Sequence, residues 1–211
     1  IWVSFNVSPL KFTNDTQGIA TAISIFEDII LQKEREALIK KNEDHFKSLF
    51  EDSPLPLREE DFSQVKLYLE KIDLMGQNVE IIRAYFDANP NEIYKIHNLI
   101  IHTNANKAFL KLYKVKNNEC LNKFKSELFN ETSFNDFKEQ IIAIAQGQTK
   151  YVIDTIIKNS ADEIHNIDLR WNVIRGYEHT LGRIIVSNED ITERKNAEKI
   201  ILSSQIRTES L

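Results

Sequence analysis

The chain has 211 residues, of which 42% are hydrophobic and 28% are charged, a composition typical of a folded globular protein. Its formal net charge of −5 argues against a nucleic-acid-binding protein, which would need a clustered excess of Lys and Arg. The five glycines are so scattered that no two lie within four residues of each other. A phosphate-binding loop needs closely spaced glycines, so nucleotide-binding loops of that type are excluded.

Three further features bear on where the chain resides. No apolar run approaches the roughly 18 residues that a membrane-spanning helix needs, and no signal-peptide pattern opens the sequence. Cys120 is the single cysteine and cannot form an internal disulfide, which fits a reducing compartment. We therefore expect a cytoplasmic chain. Because it starts at Ile1 with strand-like residues, we also expect it to be part of a longer polypeptide.

A short motif occurs twice. Glu27-Asp28-Ile29 and Glu189-Asp190-Ile191 are 162 residues apart (189 − 27), and the residues that follow each copy also match. Such repetition indicates tandem modules; the alternative is chance similarity between two charged amphipathic helices. The repeat predicts the C-terminal hairpin of a truncated module at 1–27, a connecting helix at 28–50, a complete module at 51–190 and an exit helix at 191–211.

The first half of the complete module is predicted to be mainly helical. Prolines disfavour helix at its start, and Asp61 with Gln64 forms a capping-box pattern. A later helix should stop before Pro90. The predicted elements are an extended segment at 54–57, helices at 61–75 and 78–88, and a strand at 99–101.

The second half of the module alternates between helix and strand. Asn106 is a good helix N-cap residue, and apolar residues at helical spacing follow Ser133. Ile167 to Val173 alternates apolar and polar side chains, the period of a strand with one buried face. The predicted elements are a helix after Asn106, a helix at 133–146, and strands at 151–157, 167–173 and 184–186.

Three motifs resemble one family of sensory domains. The run Asp190-Ile191-Thr192-Glu193-Arg194-Lys195 resembles the ending of PAS domains, where the last strand passes into a helix. The segment from Asn106 to Tyr113 resembles the PAS "N-x-A-x-x-x-L-(F/Y)" segment, and the segment from Phe46 to Pro54 resembles the usual PAS entry. One departure is clear: residues 58–98 separate the first two strands, where PAS domains usually have a tight turn.

The resemblance implies a fold class and a role. The expected fold is α+β, a five-stranded antiparallel sheet with helices on one face, an inserted helical pair at about 58–98, and flanking signalling helices. The expected role is non-catalytic signal input to an output domain outside this chain, implied to be a histidine kinase in a two-component system. A cyclic-dinucleotide enzyme is the alternative parent, and a flavin or haem sensor is the alternative role.

The expected chemistry of the chain is limited. Flavin photosensors of the family need a cysteine in an Asn-Cys-Arg-Phe context, and the surroundings of Cys120 lack the Arg and the Phe. Haem-binding members supply a histidine from the long helix, here 133–146, which contains none. The five histidines form no pair at metal-ligand spacing. We therefore expect no cofactor, no metal and no catalytic residue, and the identity of any small-molecule ligand stays open.

Three sets of residues are predicted to carry the signalling function. A capping box of Asp190 and Glu193, with Thr192 between them, should fix the exit helix to the sheet. A heptad-like stripe on the entry helix should mediate a parallel homodimer: Leu31, Leu38, His45 and Leu49. Inward-pointing residues should either line a ligand cavity or fill the core: Phe109, Tyr113, Phe137, Ile141, Tyr151, Trp171 and Ile185.

Overall fold

A computed structural model describes the backbone of residues 16–121 and 131–209, and the side chains of residues 29–121 and 133–203. The chain divides into two units, Ile1–Ser48 and Leu49–Leu211. In the described part of the first unit the backbone is helical throughout. No helix among the described residues is long and apolar enough to cross a membrane.

The entry helix begins earlier than predicted. Helix α1 runs over Thr16–Glu51, so residues 16–27 are helical and the hairpin predicted for them is wrong. The rest of that prediction, residues 1–15, lies outside the described residues. The first copy of the repeated motif, Glu27-Asp28-Ile29, thus lies inside a helix, whereas the second copy ends a strand. No glycine or proline interrupts residues 19–53, so nothing local stops this helix from extending towards the N-terminus.

The second unit contains the predicted five-stranded antiparallel sheet. The strand order is β2-β1-β5-β4-β3, and every neighbouring pair is antiparallel. The α+β fold class is therefore confirmed. The strands are β1 (Leu57–Asp61), β2 (Ile101–Ala105), β3 (Lys150–Lys158), β4 (Ile164–Val173) and β5 (Ile184–Asp190).

Strand β1 occupies residues that the sequence assigned partly to a helix. Its last residue, Asp61, was predicted to open that helix in a capping box with Gln64. Instead the Asp61 carboxylate accepts a hydrogen bond from the Ser63 backbone N–H at 2.7 Å, a local turn that lets the strand pass directly into helix α2 (Ser63–Lys71). The backbone N–H of Phe62, between them, donates to the Leu181 carbonyl. The acidic residues Glu59, Glu60 and Asp61 therefore stay in β1 and pair within the sheet.

The insertion between β1 and β2 contains three helices rather than the predicted pair. After α2 come α3 (Val79–Ala88) and α4 (Asn91–Leu99). The sequence predicts a helix stop before Pro90, and Pro90 does follow the end of α3. It also starts α4, because proline is well tolerated at a helix N-terminus, where its missing N–H is not needed. The strand predicted at 99–101 consequently begins two residues later, at Ile101.

The helices of the second unit that precede β3 bury one face of the sheet, and the helix after β5 is largely exposed. Helix α5 (Lys107–Tyr113) follows β2, helix α6 (Glu131–Ala145) precedes β3, and helix α7 (Thr192–Glu209) follows β5. Side chains from α2, α3, α4 and α6 form one core with β4 and β5. A smaller cluster gathers around α5. The largest fully buried side chains in the main core are Trp171, Phe86, Leu69, Ile82, Ile93, Ile96, Ile141, Ile144, Ile167 and Ile184.

Candidate functional site

A cavity of about 120 Å³ lies between the sheet and helices α5 and α6. One part of its wall is apolar: Phe62, Ile100, Phe109, Leu121, Phe137, Ile157 and Leu169. The other part carries polar or ionisable side chains: Arg58, Glu60, His97, His102, Tyr113, Ser133, Asp136, Gln140 and Thr155. An apolar cavity with a few converging polar groups is the usual form of a small-molecule site.

A buried ion pair forms the polar end of the cavity. Glu60 on β1 is only 3% exposed, and its carboxylate lies 2.8 Å from Arg58 Nε and 2.8 Å from His102 Nδ1. The pairing of β1 with β2 places Glu60 directly opposite His102. Burial by itself raises the pKa of Glu60, but the Arg58 guanidinium and the His102 hydrogen bond outweigh burial and lower this pKa to about 2. Glu60 is therefore ionised at neutral pH.

Arg58 connects this ion pair to two further elements. Its Nη1 donates to Asn188 Oδ1 on β5 at 3.0 Å, and its guanidinium carbon lies 5.3 Å from the centre of the Phe109 ring on α5. Burial opposes the charged form of Arg58, but the Glu60 carboxylate outweighs it and raises the pKa of Arg58. The guanidinium is thus held from three sides and has a fixed orientation at the cavity wall.

Helix α5 presents two stacked aromatic rings to the cavity. The ring centres of Phe109 and Tyr113 are 4.3 Å apart, and the Tyr113 hydroxyl accepts a hydrogen bond from Asn188 Nδ2 at 2.8 Å. Burial raises the pKa of Tyr113, so its hydroxyl stays protonated at neutral pH. The predicted N-cap of α5 is confirmed, since Asn106 Oδ1 accepts from the Phe109 backbone N–H at 2.9 Å.

Helix α6 supplies the opposite wall. Asp136 Oδ2 accepts a hydrogen bond from the Thr155 hydroxyl on β3 at 2.5 Å. The Phe137 ring meets the His97 ring of α4 edge to face, with centres 5.3 Å apart. These contacts join α4, α6 and β3 around the cavity.

Six of the seven predicted pocket residues lie either at the cavity or in the core beside it. Phe109, Tyr113 and Phe137 line the cavity. Ile141 and Trp171 are fully buried in the neighbouring core, and the half-buried Tyr151 stacks on Trp171 with ring centres 5.9 Å apart. Part of the predicted set is therefore core and part is cavity wall.

Ile185 was predicted to point inward, and this is wrong. It is only half-buried, whereas its neighbours Ile184 and Val186 are in the core. Successive strand residues point to opposite faces, so an error of one residue reverses the side. Three consecutive apolar residues, Ile184 to Val186, give no alternation from which the inner face could be chosen.

Sequence reasoning missed the three ionisable residues of the polar end. Arg58, Glu60 and His102 are of types that rarely lie inside a protein. A usable signal exists, since Arg58 and Glu60 have opposite charges two residues apart and would share one face of a strand. That signal is visible only once residues 57–61 are known to form a strand and not the start of a helix.

The junction between β5 and α7 is held by the predicted relay residues. Asp190 Oδ1 accepts from the Thr192 backbone N–H at 2.9 Å, and Asp190 Oδ2 lies 2.7 Å from Nδ1 of His165 on β4. The Thr192 hydroxyl accepts from the Asn166 backbone N–H at 2.8 Å. The reciprocal bond expected from Glu193 to the backbone of Asp190 is not among the hydrogen bonds of the described residues. The helix start is therefore tied to β4 as well as β5.

Asn106 ties the end of α1 to α5. Besides capping α5, its side chain accepts from the Leu57 backbone N–H at 3.0 Å and donates to the carbonyl of Phe50 at 3.0 Å. It is fully buried. The last residues of the entry helix are thus hydrogen-bonded, through one side chain, to the helix that carries Phe109 and Tyr113.

The predicted dimer residues are exposed in the single chain. Leu31, Leu38 and Leu49 are 49%, 58% and 57% exposed, and His45 is also exposed. Other large apolar side chains of α1 are exposed as well, among them Ile39 and Phe46. Several exposed apolar side chains on one helix are the pattern of a surface that packs against something.

Metal chemistry finds no support in the part of the chain that the structure describes. There no group of three His, Cys, Asp or Glu side chains is placed to hold a metal ion. Cys120 is half-buried, and its backbone N–H is bonded to the side chain of Asn117.

No protein-family model and no curated protein matches the chain. Solved PAS domains are similar to it. One from Colwellia psychrerythraea is 13% identical with a TM-score of 0.47, covering 71% of this chain and 97% of that one.

Two further solved structures are also similar. The PAS domain of an HTR-like protein from Haloarcula marismortui is 12% identical with a TM-score of 0.46, covering 75% of this chain and 99% of that one. A sensory box histidine kinase/response regulator from Burkholderia thailandensis is 11% identical with a TM-score of 0.46, covering 79% and 98%. The PAS-like fold of this chain rests on its own five-stranded antiparallel sheet, the helices on one face of it, and the motifs that its sequence carries.

Proposed function

We propose that the chain is a non-catalytic signal-input module. In this proposal a small molecule binds in the cavity and shifts the strands of the sheet. Helix α7 passes this shift to an output domain of the same polypeptide, a histidine kinase. The module acts in the cytoplasm, without a bound flavin, haem or metal. A parallel homodimer forms through the exposed apolar stripe of α1.

One observation carries the proposal: the polar wall of the cavity is hydrogen-bonded to the strand that leads into the exit helix. Arg58 lines the cavity and donates to Asn188 on β5, and β5 passes into α7 with only Ile191 between them. A molecule that binds beside Arg58 therefore contacts a group bonded to the strand whose end fixes α7. A coupling of this kind needs no moving loop and no linker.

Filling the cavity from inside tests the proposal without a known ligand. Phe137→Trp enlarges a cavity-lining side chain on α6, far along the chain from α7. We expect hydrogen exchange of the backbone amides at residues 192–198 to change by several-fold, because occupancy of the cavity should alter how α7 is held. Ile100→Phe fills the cavity from another wall and serves as a second variant.

The matched control places the same residue on the outside of the same helix. Asn135 is exposed, so Asn135→Trp should leave the exchange of residues 192–198 unchanged. If both cavity-filling variants fold and neither changes that exchange, the cavity does not communicate with α7 and the proposed function fails.

A further inference from the structure

Asp136 on α6 brings a carboxylate to the cavity wall that no positively charged side chain of the described residues neutralises. Its Oδ2 accepts from the Thr155 hydroxyl at 2.5 Å, which is its only side-chain hydrogen bond within the described part of the chain. A carboxylate has about four acceptor positions. Asp136 therefore keeps most of its capacity to bind a donor that enters the cavity.

The basic residues next to Asp136 are paired with other carboxylates. Lys138 is the only basic residue in the sequence of α6, and its Nζ lies 2.8 Å from Asp87 Oδ1 on α3. Arg83 on α3 forms a two-point ion pair with Glu139 of α6, with Nη2 2.7 Å from Oε2. These two ion pairs join α3 to α6, and none of their four residues lines the cavity.

The charges on the cavity wall consequently do not balance. Arg58 carries one positive charge, and Glu60 and Asp136 carry one negative charge each, with the histidines counted as neutral. The Arg58 guanidinium is already matched by Glu60, since Nε lies 2.8 Å from that carboxylate. The wall is thus left with a net charge of −1, which belongs to Asp136.

This imbalance discriminates between classes of ligand. An anion would meet the Asp136 carboxylate and a guanidinium whose charge is already compensated. A purely apolar molecule would displace water from Asp136 without replacing its hydrogen bonds, and an unpaired charge is costly to bury. A cation with N–H donors supplies both the opposite charge and the missing hydrogen bonds.

The neighbours of Asp136 suit an ammonium group. Gln140 lies four residues later on the same face of α6 and also lines the cavity, so its side-chain carbonyl can accept a second N–H. Phe137 and Phe62 belong to the same wall. The electron-rich face of an aromatic ring attracts a nearby cation, which adds to the attraction of the carboxylate.

The volume of the cavity limits the rest of the ligand. It is about 120 Å³, whereas an apolar cavity of about 150 Å³ in a protein admits benzene. The ligand therefore has about six non-hydrogen atoms, most of them apolar, to match the apolar part of the wall.

We propose that the cavity binds a small primary ammonium compound, with its nitrogen at Asp136 and Gln140 and a compact hydrocarbon body against the apolar wall. The proposal rests on the signal-input function above, because it names the ligand class of the same cavity.

Three probes that share one branched five-carbon skeleton test the proposal on the unaltered full chain. Isopentylamine carries an ammonium group, isopentanol a hydroxyl and isovalerate a carboxylate. Calorimetric titration should give a dissociation constant of about 1 mM for the amine, as expected for so few atoms. Isopentanol and isovalerate should bind at least about tenfold more weakly, since neither supplies a charged donor.

Two variants locate the amine. Asp136→Asn keeps the shape of the side chain and an acceptor for Thr155, and should weaken isopentylamine about tenfold while changing isopentanol by less than about twofold. Phe137→Trp fills the cavity and should abolish binding of the amine. The matched control is Glu139→Gln, which removes the same charge from the same helix outside the cavity wall and should leave the affinity for isopentylamine within about twofold.

The ligand class and the input function fail in different experiments. Equal affinities for isopentylamine and isovalerate, or no binding of any probe, overturn the ligand class. So does an affinity for the amine that Asp136→Asn or Phe137→Trp leaves unchanged. In these cases hydrogen exchange at residues 192–198 still decides the input function. If the amine binds as expected but neither cavity-filling variant changes that exchange, the ligand class stands and the input function is wrong.

Discussion

At the scale of single residues, Trp171 shows how strand β4 contributes to the stability of the core. It is 1% exposed, and it packs among α6, β5 and the ring of Tyr151. Its indole N–H is buried and has no hydrogen-bond partner among the described residues. Its contribution therefore comes from apolar burial and packing, not from its polar atom.

Trp171→Ala should lower the free energy of unfolding by about 3–5 kcal/mol, because it removes a large buried side chain and leaves a cavity. Urea denaturation followed by circular dichroism measures the difference. Asn172→Ala, on the exposed neighbour, should cost less than about 0.5 kcal/mol. A loss of less than about 1 kcal/mol for Trp171→Ala would contradict the packing described here.

Glu60 should make the stability depend on pH in a defined direction. Its pKa is lowered from 4.5 to about 2 in the folded chain, so its ionised form stabilises the fold by roughly 3 kcal/mol at neutral pH. A lowered pKa means that this stability is complete above about pH 5 and is lost as the pH falls through about 2.

Glu60→Gln should therefore flatten the fall in unfolding free energy between pH 7 and pH 3. It should also lower stability at pH 7, because Arg58 and His102 lose a charged buried partner. Glu119 is exposed, so Glu119→Gln should keep the slope of the unaltered chain. Equal slopes for all three proteins would show that Glu60 is not paired as described.

At the scale of elements, the junction of β5 and α7 can be weakened at the last residue of β5. Asp190→Ala removes the acceptor for the Thr192 N–H and the partner of His165. Loss of such a helix-start contact costs about 1 kcal/mol. Amides in the first turn of α7 should therefore exchange several-fold faster, while those of β3 stay protected.

The neighbouring Glu189 provides the control for this prediction. It is exposed, and its carboxylate has no part in the helix start. Glu189→Ala should leave exchange in α7 unchanged. If Asp190→Ala and Glu189→Ala behave alike, the hydrogen bonds of Asp190 do not hold the helix.

The elements also show where sequence patterns lose their meaning. The pattern Asp61 with Gln64 is a helix-start signal, yet Asp61 ends β1, because the same carboxylate serves equally well in a turn after a strand. Pro90 was interpreted as a stop, yet it both follows α3 and starts α4. In each case the residue pattern is compatible with two local structures, and the packing of neighbouring elements decides which of them forms.

At the scale of the whole molecule, the exposed apolar stripe of α1 predicts a homodimer. The helix has 36 residues and so a length of about 54 Å, enough for several turns of contact between two copies. Leu38→Glu with Leu49→Glu should leave the sheet folded and convert the protein to a monomer, because two charges would be buried in the seam. Light scattering at tens of micromolar measures the mass.

A control with the same change in charge separates burial from repulsion. Lys33→Gln with Lys40→Gln also lowers the net charge by two, and these residues lie two positions from Leu31 and Leu38, near the opposite face of the helix. This variant should stay dimeric. A monomer before any substitution, or a dimer after Leu38→Glu with Leu49→Glu, contradicts the prediction.

The absorption spectrum tests whether the whole protein carries a cofactor. The sequence lacks the family's flavin and haem signatures, so freshly purified protein should be colourless. We expect no stoichiometric band above about 350 nm, since a cavity of about 120 Å³ is smaller than the pockets of drug-sized ligands. A flavin or Soret band at one equivalent would overturn this expectation.

Local sequence patterns specify the alternating strand around Ile167–Val173, the helix after Asn106 and the hydrogen-bonded start of the exit helix, whereas the five-stranded sheet is implied by the resemblance to PAS domains. The strand follows from period-two alternation and the two helix starts follow from side chains that bond to their own local backbone; both kinds of information are contiguous in the chain. The helical spacing of Phe109, Tyr113 and Phe137 predicts that they point inward, to line a cavity or to fill the core, and the structure places them at the cavity.

The polar groups at the cavity, by contrast, are specified only by the tertiary structure. Arg58, Glu60, His102 and Asn188 come from three strands, and these polar side chains can be buried because each has a partner on another strand. No spacing along the chain specifies such partners. Likewise only the paired sheet shows that Ile184, and not Ile185, faces the core, because in an unbroken apolar run the neighbouring strand sets which side is inside.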